Sequence, residues 1–329
     1  MEDTQRKKPY QKFEGHTDWV MDIIHLPGGQ QIMTCSHDGS LRVWNLQTGK
    51  QISHWEDKNG AIEAMALSVD GKKVVSGSAD GAVRLWSIEI GRAIAEWMGH
   101  TKRVRSMCWS GNGERVLSGC WDGTARVWNV ETGNTVQLVL VEINTEVNTA
   151  IFSPDSTLIA TGGDSKIKIW DANTGKLVSI LKGHTDDVNC LAWAANRSTL
   201  ISGSDDQSIR TWNTSTWRQL AVLTGHTNTV CGIAISPSGR ILASASWDNT
   251  ARLWNLENGQ PIGSTLHHPD VVNCVSFSTD GTLLVTGCDD KSAYAWDIAA
   301  IIEEAGLKEL LVSCFFHLSP PTKLAIPGC

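Results

Sequence analysis

A chain of 329 residues, 41% hydrophobic and 19% charged, holds enough apolar material for a sizeable core, and its length admits one large all-β domain or two ordinary ones. The net charge of −7 excludes a chain built mainly to grip a phosphate backbone, which needs clustered positive charge, so nucleic acid is not an expected partner. Nine cysteines without a C-x-x-C pair give neither a disulfide framework nor a zinc-finger spacing, and they point to a reducing compartment. The opening MEDTQRKKPYQKF lacks the apolar run of a signal peptide, and no stretch approaches roughly 18 consecutive apolar residues. The expected location is the cytoplasm or nucleus, with no membrane attachment.

Self-similarity decides the architecture. Trp44, Trp86, Trp128, Trp170, Trp212, Trp254 and Trp296 follow one another at steps of 42 residues. Six residues before each stands an aspartate: Asp38, Asp80, Asp122, Asp164, Asp206, Asp248 and Asp290. Twenty-eight residues before the tryptophan lies a histidine in five of the seven units, namely His16, His100, His184, His226 and His268. Between these markers short runs alternate with period two, as in Val74-Val75-Ser76-Gly77-Ser78 and Ala82-Val83-Arg84-Leu85-Trp86, separated by turns such as Val69-Asp70-Gly71-Lys72 and Thr48-Gly49. Each unit therefore reads as a four-stranded antiparallel meander. Sheets apolar on both faces are unstable alone, but seven arranged radially bury one another and close a ring. The Gly-His near the start and the Trp-Asp near the end, literal at Trp170-Asp171 and Trp296-Asp297, resemble the WD40 repeat over roughly residues 9–298. The expected fold is all-β, a seven-bladed WD40 β-propeller. Units such as residues 118–129, SGCWDGTARVWN, are similar to repeats common in fungal WD40 proteins, including those fused to NACHT-type ATPases, although this chain has no P-loop Gly-Lys-Ser or Gly-Lys-Thr.

In chain order, residues 8–14 precede Gly15-His16 as residues 176–182 precede Gly183-His184, which predicts an N-terminal outer strand that fastens the last blade. The resemblance implies a buried hydrogen-bonded chain of His, Ser or Thr, Asp and Trp in each blade. Carried over, the complete sets are His16, Ser36, Asp38 and Trp44 in unit 1, His184, Ser204, Asp206 and Trp212 in unit 5, and His226, Ser246, Asp248 and Trp254 in unit 6. Unit 2 has Lys58 in place of the histidine. Units 3 and 7 have Cys120 and Cys288 in place of the serine, a weaker hydrogen-bond partner that predicts looser blades. Unit 4, with Glu142, Gly162 and shifted loop lengths, is the most irregular. The propeller spans 1–298; residues 299–329 are expected to form a short helix interrupted at Gly306 and then a flexible tail, and Cys329 is too close to the end for a prenylation signal.

Ser, His and Asp in one set resemble a catalytic triad, but a catalytic constellation occurs once, whereas this one recurs with the ring. Histidines a repeat apart sit on different blades and cannot converge on one metal ion. No enzyme, metal or cofactor is expected. The informative positions are those that refuse to repeat: residues flanking the start of each first strand, and residues just before the turn aspartates. Both lie on one face of the ring, the top, around the channel. They give Trp19 and His37, Glu63, Arg103, Arg105 and Trp121, Glu146, Asp187 and Asp205, Trp247, and Asp289 as the candidate binding surface. Arg and Trp are typical interface anchors, and opposite charges on blades 3 and 4–5 suit a bipolar peptide. The expected function is a non-catalytic scaffold for a protein or peptide partner, itself a monomeric propeller within a larger complex; the alternative is a small-ligand or sugar-binding propeller that stacks on the top-face tryptophans.

Overall fold

The alternating runs fold as strands of four to seven residues, gathered into seven four-stranded antiparallel sheets. The structure is a computed structural model and describes residues 7–57, 60–140 and 145–311. Blade 1 shows the pattern, with strands Val20–His25, Gln31–Ser36, Ser40–Asn45 and Gln51–Glu56 running outward from the channel. Each sheet buries both faces against its neighbours, so the core consists of seven clusters that each bridge two blades. In one, Met33, Val43 and Trp55 of blade 1 meet Ile62, Met65, Val74 and Trp86 of blade 2. Trp55 stacks on Trp86 with centroids 6.3 Å apart, and Trp97 on Trp128 at 6.0 Å.

A swap between blades 4 and 5 shows how tightly this packing is specified. In five blades the turn between the third and fourth strands holds a glycine in the left-handed region. A Cβ on Gly133 would fall 2.6 Å from the Trp97 ring. Blade 5 has Trp217 at that position, with φ 57°. The preceding blade there offers Leu181, smaller than Trp97, and the indole of Trp217 joins the same cluster, edge-on to Trp193 at 6.2 Å.

The ring closes as expected. Gln11–Glu14 pairs with Ser292–Asp297 as the outer strand of blade 7, and Phe13, opposite Ala293, is 1% exposed and packs 6.0 Å from Trp44 of blade 1. After the last strand, helix Ile298–Glu304 is capped by the Asp297 side chain, which accepts from Ala300 N–H at 2.9 Å. Ile298, Ile301 and Ile302 are buried with Ile241, Leu253 and Ile262 of blade 6, and Leu310 of a following 3-10 turn joins them. The helix thus shares the propeller's core, while the expected tail from residue 312 onward lies outside the described residues. Among the described residues no helix is long and apolar enough to cross a membrane.

Phe13→Ala should remove the plug between blades 7 and 1 and lower unfolding free energy by roughly 3–5 kcal/mol, read from the urea midpoint. Phe13→Leu should retain most of the stability.

Candidate partner-binding mouth

In every blade the repeat indole donates to a buried hydroxyl. Trp44 reaches Thr34 at 2.8 Å, Trp86 Ser76 at 2.9 Å, Trp128 Ser118 at 2.8 Å and Trp170 Thr161 at 2.9 Å. Trp212 reaches Ser202 and Trp254 Ser244, both at 2.9 Å, and Trp296 reaches Thr286 at 3.0 Å. Because an indole only donates, each hydroxyl accepts there and can turn its own hydrogen to histidine Nε2, 2.7 Å away in blades 1, 3, 5, 6 and 7. Nδ1 of His16, His100, His184 and His226 then donates to Asp38, Asp122, Asp206 and Asp248 at 2.8–2.9 Å. Burial pushes these carboxyls up, but the histidines and the neighbouring hydroxyls Ser40, Thr124, Ser208 and Thr250 hold them below the usual carboxylate range.

The relay hydroxyl lies two residues upstream of the serine expected from the sequence. Ser36, Ser204 and Ser246 donate instead to the carbonyls of Asp18, Asp186 and Asn228 at 3.0, 3.0 and 3.2 Å, and each accepts from the N–H of the turn aspartate. They clasp the turn to the incoming loop. Residues two apart share a strand face, so both positions fit the alternation, but only the upstream one reaches the indole nitrogen. Cys120 plays the clasp role through the Lys102 carbonyl at 3.2 Å, so blade 3, with Ser118, has a complete set rather than the loosened one expected. Cys288 is likewise a clasp, to the Asp270 carbonyl at 3.4 Å. In blade 7 His268 Nδ1 meets the Leu266 carbonyl at 3.2 Å, while Asp290 takes the Tyr294 hydroxyl. Lys58 and Glu142 lie outside the described residues. Blade 2 substitutes an ion cluster, with buried Arg84 donating to Asp57 and Asp80 at 2.7 Å each. Asp164 of blade 4 is half-exposed and pairs with Lys166 at 3.1 Å. The relay hydroxyls are sealed from solvent, and in blades 1, 3, 5, 6 and 7 they are engaged by both indole and histidine, which removes them as accessible nucleophiles. His100, Cys120 and Asp122 come within 4.8 Å of one another, but the relay occupies both histidine nitrogens and Cys120 Sγ is engaged by the Lys102 carbonyl and the Asp122 N–H, so the cluster serves the blade's own hydrogen bonds.

On the top face the first strand shifts register by one residue in six blades, leaving Met21, Glu63, Arg105, Asn189, Cys231 and Asn273 unpaired at the bulges. A bulge re-aims its side chain, and all six line one central cavity of about 770 Å³. Asn148 takes the corresponding place in blade 4. All eleven residues of the expected binding surface line the same cavity: Trp19 and His37 of blade 1, Glu63 of blade 2, Arg103, Arg105 and Trp121 of blade 3, Glu146 of blade 4, Asp187 and Asp205 of blade 5, Trp247 of blade 6 and Asp289 of blade 7.

In one half of the mouth the charges pair with one another. The Glu63 side chain is fully buried and takes Arg103 at 2.7 Å and Arg105 at 2.9 Å, with His37 Nε2 3.2 Å away. Burial pushes its carboxyl up, but the His37 ring and Arg105 more than offset this and hold it at about 2, against an ordinary 4.5. Both guanidinium carbons lie over the Trp121 ring, at 5.8 and 5.7 Å. The Trp121 indole donates to Asn148 at 2.9 Å, Asn148 to Asn189 at 3.2 Å, and Asn189 to Asp205 at 2.7 Å, a hydrogen-bonded rim from blade 3 to blade 5. The arginines, expected from the sequence as the positive side of a bipolar rim, are engaged by Glu63. The other half is acidic. Among the described residues no cation lies within ion-pair distance of Glu146, Asp187, Asp205 or Asp289. Burial and neighbouring Asp205 and Asp186 push Asp187 up, and burial pushes Asp289 up. Trp19 and Trp247 stand 45% and 48% exposed at the rim. Sequence reasoning missed Asp22, deeper in the cavity, which accepts from Met65 N–H at 2.9 Å and is driven by burial to about 6. A carboxylate between Met21 and Ile23 in the first strand was its only signal.

Residues 7–45, 49–87 and 91–129 each match the WD domain, G-beta repeat, and residues 146–304 match the first β-propeller of IFT122. Similar proteins include THO complex subunit 6 of Arabidopsis thaliana, 30% identical over 71 residues, 21% of this chain and 19% of that protein. Nucleoporin Nup37 of Mus musculus is 41% identical over 54 residues, 16% of each chain. Nuclear distribution protein PAC1 of Eremothecium gossypii is 39% identical over 59 residues, 18% of this chain and 12% of that protein. The alignments span less than a fifth of each relative, and the resemblance to fungal proteins finds weak support in PAC1.

Asp248→Ala should strand His226, Thr250 and the Thr227 N–H, at roughly 1–3 kcal/mol per unpaired group, and cost at least about 2 kcal/mol more than Asp164→Ala in urea unfolding. Because the Glu63 carboxyl is depressed in the fold, its ionised form stabilises the protein above pH 4.5, and that stability is lost as pH falls toward 2. The contribution is on the order of 3 kcal/mol. Glu63→Gln should therefore be less stable at neutral pH yet show a shallower decline between pH 4.5 and 2, measured by denaturation across that range.

Proposed function

The chain is a WD40-repeat protein folded as a seven-bladed β-propeller, and from that premise we propose that it is a non-catalytic scaffold, cytoplasmic or nuclear, that receives a segment of a protein partner in the top-face mouth. The observation that carries this reading is the meeting of the eleven non-repeating side chains around one cavity. Packing rules common to all blades do not require them. Relatives whose names place them in assemblies, the THO complex subunit and the nucleoporin, support a role within a complex. With Arg103 and Arg105 engaged by Glu63, the uncompensated charge at the mouth is the carboxylates of blades 4, 5 and 7, so the partner segment is basic where it crosses them. Trp19 and Trp247 supply apolar anchorage and a π-face for its cations. The exposed indoles and a cavity of about 770 Å³, within the range of small-molecule sites, favour a small ligand as the second reading.

Affinity capture from the native organism with the wild-type chain should yield a partner whose association slows as salt rises. Trp19→Ala with Trp247→Ala should weaken that partner at least tenfold, at roughly 2 kcal/mol for a central indole, with the melting temperature nearly unchanged. Asp187→Asn with Asp205→Asn should weaken it as well, while Lys50→Glu on the opposite face should not. Reversing both arginines would set new carboxylates against buried Glu63 and report on folding instead. Loss of the partner in Lys50→Glu, with the mouth variants silent, would place the binding surface elsewhere. Absence of any protein partner, together with saturable quenching of tryptophan fluorescence by a sugar or other small ligand that Trp247→Phe abolishes, would favour the second reading.

A further inference from the structure

On the face opposite the mouth, the turns that join the first two strands of neighbouring blades lie side by side, and the chain itself shows what fills the space between them. The second residue of that turn is Pro27 in blade 1 and Pro237 in blade 6. A Cβ on Gly71 of blade 2 would fall 2.4 Å from the Pro27 ring, and one on Gly281 of blade 7 would fall 3.3 Å from the Pro237 ring. Both glycines are left-handed, at φ 70° and 73°, and each offers a bare backbone that the pyrrolidine covers.

Between blades 2 and 3 the proline is replaced by exposed Val69, and a Cβ on Gly113, the matching glycine of blade 3, would meet nothing within 4 Å. The space left is a cavity of about 260 Å³, lined by Val69 and Lys73 of blade 2 and by Trp109, Gly113 and Val130 of blade 3. Trp109 and Val130 pack on the core between these blades, and the indole is fixed across the seam by its N–H, which donates to the Ala66 carbonyl at 3.0 Å. Asp70, also at the cavity, accepts from the Ser68 hydroxyl at 2.6 Å and the Lys72 N–H at 3.0 Å. Lys73 stands where Arg115 stands in blade 3, but Arg115 closes its own seam: its guanidinium lies 5.6 Å over the Phe152 ring and reaches the Ser156 carbonyl at 3.5 Å. Among the described residues no hydrogen bond or ion pair engages the Lys73 ammonium. Gly239 and Gly29 are uncovered too, but Ile235 and His25 stand there in place of Trp109.

We propose that this cavity between blades 2 and 3 is a second binding site, distinct from the mouth, for a proline of an extended partner segment. The ring takes the place that Pro27 and Pro237 hold in their own seams, against Gly113 and the Trp109 indole. A proline brings no N–H that the apolar wall would leave unpaired, and the carbonyls of an extended proline-containing segment, bonded to nothing within it, accept from Lys73. The volume is below that of typical small-molecule sites, roughly 300–1,000 Å³, and suits one or two side chains of a segment. The inference does not depend on the mouth reading.

The probe is a fluorescein-labelled oligoproline peptide, which offers the ring in every register, titrated with the full chain and followed by anisotropy. Saturable binding is expected, and Val69→Pro, which supplies the missing ring from the chain itself, should weaken it at least tenfold. Proline already stands at this turn position in blades 1 and 6, so the variant should keep the wild-type melting curve. Ala195→Pro makes the same change at the seam between blades 5 and 6 and should leave binding unchanged. Lys73→Ala should weaken binding severalfold, and it serves as the readout should Val69→Pro fail to fold. Binding should persist in the mouth variant Trp19→Ala with Trp247→Ala. No saturable binding, or binding indifferent to Val69→Pro, overturns the proposal, as does equal loss in Ala195→Pro or loss confined to the mouth variant. Binding that appears only after residues 312–329 are deleted also overturns it, because Pro320-Pro321 of the chain itself would then be the occupant.

Discussion

A buried hydroxyl on the second strand of each blade, receiving an indole N–H from the third, is the contact on which the rest of the propeller depends. The histidine may be replaced, as in blade 2, and the aspartate may turn to another partner, as in blade 7, yet the indole-to-hydroxyl bond persists in all seven. It fixes a large flat side chain at the centre of each sheet, and the neighbouring blade is shaped to it. A polar bond in an apolar interior is strong because the alternative is an unpaired donor. Everything outward of the indole, including the stacked Trp55 and Trp97, is registered by that anchor.

From so uniform a frame an uneven surface emerges by one local device. The bulge at the start of the first strand turns a single side chain toward the channel in each of six blades without disturbing the pairs below it. Those positions are free to differ, and they do: a carboxylate at 63, a guanidinium at 105, amides at 189 and 273, a thiol at 231. Around the mouth they associate laterally across blades, so that Glu63 binds arginines from the next blade and the amide chain runs on to Asp205. The scaffold repeats while the rim is individual.

The ring, its blade number and its fastening strand were legible because tryptophan and aspartate keep a strict step and because residues 8–14 match the segment before other Gly-His pairs. The eleven mouth residues were legible as a set for the converse reason, that they break the repeat. What escaped were matters of reach and compensation. Ser36 and Thr34 both fit a period of two, and only the position of the indole nitrogen separates them; the spacing did hold a clue, since a hydroxyl ten residues before the tryptophan recurs in six units and one eight before it in only four. The pairing of Arg103 and Arg105 with Glu63 bridges residues some 40 apart, which no local pattern records. Arg84 in place of a histidine, and Trp217 in the space beside Leu181, are likewise exchanges between neighbours in space.

Closure by the Gln11–Glu14 strand bears on how the molecule comes to exist on the ribosome. Phe13 is made before the strands of all seven inner meanders, and its partner Ala293 comes with the last of them. Until blade 7 is translated, the nascent chain holds an open arc with two raw apolar flanks, the face of blade 1 that will meet Phe13 and the advancing edge of the newest blade. Contacts of such high sequence separation form slowly and leave surface exposed meanwhile. Blades can accrete one by one as they emerge, but the cooperative unit is completed only once blade 7 has emerged, and the growing chain needs protection for its unfinished flanks until then.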